Sequence, residues 1–189
     1  RYLFYNTGPV SGSLTMNLNH AGNLTSTVNS TGSFFGLNNG ANCFGSAEFN
    51  NNSFSDHNLS STTGSVIAFY NSGIITNSLS FANNSVTNFS TTSASGSFFG
   101  GIYNNAGSSS YLTISANTFS SVLHQTSTGA IHFIYNRGAS TNSISSIQIL
   151  NNSLSAFTFT ASSGPFYGIF NNATSFSSMS VGGNTLAAI

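Results

Sequence analysis

The stretch Ser78-Leu79-Ser80-Phe81-Ala82-Asn83-Asn84-Ser85-Val86 decides the fold. Leu79 and Phe81 alternate with serines, the period of two that marks a strand with one buried face. The same phrase recurs along the whole chain. Aligned on Asn84, asparagines stand at Asn19, Asn52, Asn84, Asn117, Asn152 and Asn184, at intervals of 33, 32, 33, 35 and 32 residues, and five of the six precede Ser or Thr. Five positions earlier stand Leu14, Ala47, Leu79, Leu112, Ile147 and Met179; three earlier, Met16, Phe49, Phe81, Ile114, Ile149 and Val181. Two positions later stand Ala21, Phe54, Val86, Phe119, Leu154 and Leu186.

A second asparagine column keeps phase with the first. It follows an apolar pair in Phe4-Tyr5-Asn6, Phe69-Tyr70-Asn71, Ile102-Tyr103-Asn104, Ile134-Tyr135-Asn136 and Ile169-Phe170-Asn171, with Gly36-Leu37-Asn38 as the divergent copy. Each copy closes on a glycine: Gly32, Gly64, Gly96, Gly129 and Gly164. The copies run 1–32, 33–64, 65–96, 97–129, 130–164 and 165–189, so residues 1–189 form one domain of about six units of 32–35 residues.

A unit this short cannot bury its apolar face alone, and stacking the copies gives a continuous core. No segment sustains a period near 3.6, and aromatic and β-branched residues dominate, which argues for strands. The expected fold is therefore all-β: a parallel β-helix, or β-solenoid, of about six rungs, coiled right-handed as parallel crossovers are. Parallel stacking places like residues about 4.8 Å apart. Asparagine gains most, since each amide bonds the ones above and below. The structural ladders would be Asn6, Asn38, Asn71, Asn104, Asn136 and Asn171, and the Asn19-to-Asn184 column, sitting at bends where asparagine tolerates left-handed backbone. Four-stranded propeller blades need longer repeats than these.

Composition agrees. Asn, Ser, Thr and Gly supply 104 of 189 residues, and only Arg1, Glu48, Asp56 and Arg137 carry a fixed charge. A charge placed in a column would face its own copy in the next layer, and like charges in register repel. The 25 Phe and Tyr residues argue against disorder. Zero net charge leaves no electrostatic footprint for nucleic acid, and no apolar run approaches the length of a membrane helix. The chain opens at Arg1 inside a repeat, which reads as a processed protein or a segment of a longer one. Joining Ile189 to the next Arg1 would leave 11 residues from Asn184 to the following Asn6 where 19 or 20 are normal, so a joint would be imperfect.

The phrases Asn84-Ser85-Val86, Asn117-Thr118-Phe119-Ser120 and Gly101-Ile102-Tyr103-Asn104-Asn105 resemble tandem repeats of large secreted Bacteroidota surface proteins. The resemblance covers nearly the whole chain. It implies a parallel β-helix, adhesin-like use and export, often by the type IX route, and it carries no catalytic residues. The C-terminal sorting domain of such proteins has no counterpart here.

Catalysis was weighed against this. Glycoside hydrolysis needs two carboxylates about one bond, and only Glu48 and Asp56 exist, eight residues apart. A lyase would want a basic residue or an acidic calcium cluster. His20, His57, His124 and His132 occupy different phases of the repeat and do not form a metal column. His57 replaces an apolar residue and reads as a buried or corner histidine. Gly100-Gly101 and Gly182-Gly183 lack the lysine of a phosphate loop. The single cysteine, Cys43, reads as a small buried residue. No cofactor, metal or catalytic residue is expected.

Two surface features remain. Tyr5, Leu37, Tyr70, Tyr103, Tyr135 and Phe170 form a column beside another apolar one, and one of the two faces outward. Tyr5, Tyr70, Tyr103, Tyr135 and Phe170 are thus either a binding stripe or a covered seam. Asn-x-Ser/Thr sequons at Asn23, Asn29, Asn51, Asn58, Asn83, Asn88, Asn151 and Asn172 are candidate glycosylation sites. The expected role is an extracellular or cell-surface structural protein without catalytic activity: a fibre or filament subunit, or an adhesin stalk. Its partners would be itself, end to end or side by side, or flanking repeats, with glycans as a further partner. The alternatives are a glycan- or ice-binding module and, behind it, a carbohydrate-active enzyme.

Overall fold

A computed structural model describes residues 2–23, 25–28, 33–61, 64–93, 99–106, 110–125, 129–138, 144–160, 164–173 and 175–187. The chain is a parallel β-solenoid of three sheets, with no helix among the described residues. The first sheet holds six strands, Tyr2–Asn6, Phe34–Asn39, Val66–Asn71, Phe99–Asn104, Ile131–Asn136 and Phe166–Asn171, paired in that order. The second holds Leu14–Thr15, Ala47–Asn50, Ser78–Ala82, Tyr111–Ser115, Ile144–Leu150 and Phe176–Gly182. The third holds His20–Gly22 with Thr25–Val28, then Ser53–Ser61, Ser85–Ser93, Thr118–Gln125, Ser153–Thr160 and Thr185–Ala187. Every pairing is parallel, and each strand lies beside its own equivalent in the next copy.

Register explains the repeated residue types. Phe49 pairs with Phe81, Ile114 with Ile149 and Val86 with Phe119. These side chains are buried in one continuous core. Phe49 and Phe81 stack at 5.0 Å between ring centres. Along the second sheet Leu79 and Phe81 point in, while Ser78 and Ser80 stay partly exposed, as their alternation predicts.

The corners are built from single residues in left-handed backbone. Leu18, Asn51, Asn83, Ala116, Asn151 and Gly183 have φ between 52° and 63°, and each immediately precedes a ladder asparagine. The left-handed residue is thus the neighbour of the ladder asparagine, which itself lies outside that region. Its extra residue turns the chain between the second and third sheets while keeping the next apolar residue inward, so Phe49, Asn52 and Phe54 are all buried. A second left-handed column, Asn23, Asp56, Asn88, Ser121 and Ala156, bends each strand of the third sheet. It shifts the inward phase by one, from Phe54 to His57 or from Phe119 to Val122. Left-handed backbone costs a residue with a Cβ roughly 1–2 kcal/mol, which asparagine moderates by bonding locally.

The divergent copy of the first column is corrected by the register. Asn6 pairs with Asn39, and Asn39 with Asn71, so the copy is Leu37-Asn38-Asn39, one residue later than the sequence pattern suggested. Asn38 therefore leaves the ladder and takes the tyrosine position, opposite Tyr5 and Tyr70. Leu37 drops into the inner column with Phe4 and Phe69. In a strand, a slip of one exchanges the two faces, and two adjacent asparagines conceal which one is inward. The inner column is preceded by a position that is Gly36, Gly101 or Gly168 in three copies. A Cβ on Gly101 would lie 2.5 Å from the Phe133 carbonyl oxygen and 2.8 Å from Phe119 Cε1. Cross-core rings thus rest directly on bare backbone there.

Cys43 closes the connection from the first sheet to the second. It bridges Val10 and Ile75, is fully buried, and its thiol donates to the Gly12 carbonyl at 3.1 Å.

Candidate functional site

The ordered polar features of this chain are its two amide ladders and the aromatic face beside one of them. In the first ladder Asn6 Nδ2 donates to Asn39 Oδ1 at 2.8 Å, Asn39 to Asn71 at 2.8 Å, and Asn71 to Asn104 at 2.9 Å. Asn104 then donates to Asn136 at 2.9 Å, and Asn136 to Asn171 at 2.7 Å. In the second ladder both the backbone N–H and Nδ2 of each asparagine donate to the next Oδ1. Asn84 reaches Asn117 Oδ1 by these routes at 3.0 and 2.8 Å, and Asn117 reaches Asn152 at 3.1 and 2.8 Å. The other Nδ2 proton goes back to the core: Asn117 Nδ2 bonds the Phe81 carbonyl at 2.9 Å. The central members of both ladders are at most 3 % exposed. Buried amides are costly unless bonded, and only an identical neighbour satisfies these.

The tyrosine column faces outward, since its neighbours Phe69 and Asn71 are buried on the inner side. A second outer column runs beside it: Tyr2 pairs with Phe35, and His132 with Gly100 and Tyr167. Together they make one continuous run of rings along the axis. Ring centres are 4.1 Å apart for Tyr2 and Tyr5, 5.3 Å for Tyr2 and Phe35, 5.0 Å for Phe35 and Tyr70, and 5.3 Å for Tyr70 and Tyr103. The run continues through Tyr103 and Tyr135 at 4.7 Å, His132 and Tyr135 at 4.5 Å, and His132 and Tyr167 at 4.8 Å. Phe170 completes it, 5.1 Å from Tyr135. Several pairs are near parallel, 7° for Tyr103 and Tyr135. Their faces therefore meet each other, and edges and hydroxyls meet solvent. Asn105 ties this face together, donating to Tyr70 Oη at 3.0 Å and accepting from Tyr103 Oη at 3.2 Å and Arg137 Nη1 at 3.4 Å.

His132 is buried among these rings, and desolvation pushes its pKa down from the ordinary 6.5 to about 4. His57 is also buried; desolvation lowers its pKa, partly opposed by the nearby Asp56 carboxylate. Both groups are held neutral in the fold, whereas the unfolded chain takes up protons near pH 6.5. Stability should therefore fall as pH drops from about 6.5 toward 4. Denaturant midpoints across that window measure the effect, and His132→Phe should flatten the slope.

The two acids sit on different sheets. Glu48 is exposed on the second and accepts from Asn17 Nδ2 at 3.2 Å; Asp56 lies on the third-sheet bend and accepts from Asn88 Nδ2 at 3.0 Å. His20 is exposed on the third sheet, and His124 lies there in backbone register with Thr91 and Phe159. A surface depression of about 310 Å³ beside Ser121, Val122 and Thr158 is lined by no ionisable side chain. Compared with family models, curated proteins and solved structures, the chain matches none.

Of the sequon asparagines, Asn29 lies outside the described residues, and Asn23, Asn51, Asn58, Asn83, Asn88, Asn151 and Asn172 are exposed. Five of these, Asn23, Asn51, Asn83, Asn88 and Asn151, occupy the left-handed corner columns. The corner gives asparagine a conformational reason to stand there, independent of any sugar. Sequence reasoning missed these corners, although Asn51, Asn83 and Asn151 before the ladder asparagines were their signal.

Proposed function

We propose that this chain is an extracellular structural module, a segment of a fibre or an adhesin stalk, with no catalytic role. The observation that carries this reading is the investment of the buried polar groups: the ladder amides are consumed in holding copy to copy. Surface chemistry points the same way. Only Arg137, Glu48 and Asp56 are charged among the described residues, and each is bonded to an asparagine. The resemblance to secreted Bacteroidota repeat proteins belongs to this proposal, as does the cell-surface location. Immunogold electron microscopy of intact source cells tests it. Label is expected along surface fibres; label confined to the cell interior, or to discrete particles free of fibres, would overturn it.

A second reading, a glycan- or ice-binding module, draws on the outer hydroxyl columns of the third sheet. Ser53, Ser85, Thr118, Ser153 and Thr185 stand in register there. The aromatic run favours it less, because its rings cover one another's faces. Ice-shaping and glycan-array assays separate this reading from the first.

A further inference from the structure

The two ends of the stack are complementary to each other and not to themselves. Both ladders run in one direction, every asparagine donating to the copy after it. At the later end, Asn171 Nδ2 and the Asn184 backbone N–H are donors with no acceptor among the described residues. At the earlier end, the side-chain oxygens of Asn6 and Asn19 are acceptors with no donor. Like ends would set donor against donor or acceptor against acceptor. Opposite ends restore the bond made at every internal step.

The apolar surface has the same distribution. Of the ten large apolar side chains left exposed among the described residues, seven lie at the two ends. Phe176 (41 %), Val181 (51 %) and Leu186 (43 %) crown the later end, and Tyr2 and Tyr5 (46 % each) the earlier one. Clustered exposed apolar surface marks an interaction site, and open strand edges template further pairing. Tyr167 and Phe170, whose ring centres lie 4.9 Å apart, would stack onto Tyr2 and Tyr5, so the aromatic run continues across the joint. A two-fold contact superposes none of these columns.

We propose that a second copy of this chain docks head to tail, with Phe166–Asn171 of one molecule as a parallel strand beside Tyr2–Asn6 of the next. The contact is heterologous and leaves the same two ends open after each addition, so growth is linear and polar. This deepens the structural reading above and rests on it.

Single-cysteine variants Thr15→Cys and Ser180→Cys test the polarity. Thr15 and Ser180 are exposed outermost members of one second-sheet column, and head-to-tail docking brings them to the spacing of neighbouring strands, about 4.8 Å, within disulfide reach. The native Cys43 is buried and stays in place. Mixing the two proteins under mild oxidation should yield the mixed disulfide and few homodimers. Asn184→Asp, which removes the side-chain donor and adds an opposing carboxylate, should lower that yield by about tenfold, roughly one lost buried hydrogen bond, with the strand circular dichroism unchanged. Predominant Thr15→Cys or Ser180→Cys homodimers, or monomers at every concentration, would sink the inference. Surface fibres labelled in cells without this crosslink would remove the polarity and leave the structural role standing.

Discussion

Asn117→Ala is expected to lower the unfolding free energy by about 3–6 kcal/mol, because it strands several buried groups at about 1–3 kcal/mol each. Asn117 is fully buried and is the acceptor for both the backbone N–H and Nδ2 of Asn84. It also donates to the Phe81 carbonyl. Alanine leaves those three partners unbonded in a place water does not reach. The loss is large against a whole-domain stability of roughly 5–15 kcal/mol. Guanidinium midpoints with an unchanged slope would measure it. Asn6→Ala, at the half-exposed end of the first ladder, should cost about 1 kcal/mol by the same logic. Equal losses at the two positions would show that the ladders add nothing beyond side-chain volume. Asn117→Asp sharpens the test. It sets a carboxylate oxygen against Asn152 Oδ1, so burial should raise that group's pKa in the fold. Its stability should then recover on acidification below the unfolded value near 4 and be lost again as pH rises.

Phe119→Ala should cost about 3–5 kcal/mol, as for large buried rings elsewhere. The ring is buried, meets Phe133 edge to face at 4.7 Å and Phe69 at 6.5 Å, and rests on Gly101. Gly101→Ala should also destabilise, by about 1–3 kcal/mol, since the new methyl strikes both ring and carbonyl. Combining them discriminates between these two obstacles. With the ring gone, only the Phe133 carbonyl resists the methyl, so the double variant should lose less than the sum of the single losses. Strict additivity would mean that the carbonyl contact alone sets the cost at Gly101.

The parallel stack, the three strand phases and the inner columns are legible in the sequence because each recurs beside its own copy. Where a copy departs, legibility fails for local reasons. Asn38 and Asn39 are chemically identical neighbours, and only the inward turn of Leu37 tells them apart. The bend inside the third sheet is carried by Asn23, Asp56, Asn88, Ser121 and Ala156, which share a backbone angle and no side-chain type. The outward facing of Tyr70 and Tyr103 was equally hidden, because the columns on either side are apolar too. It is set by bare positions such as Gly36 and Gly101, which let two successive residues contribute to the core side of the sheet.

Single-residue corners have no slack. From Phe49 through Asp56, and in every equivalent stretch, spacing never changes, because one added residue would rotate every later side chain out of place. The connection after the first sheet behaves differently: Asn136 to Asn152 spans 16 residues where Asn104 to Asn117 spans 13. Lineages of this repeat should accumulate length changes on that one edge, and a peptide grafted there would be displayed in a single file down the rod.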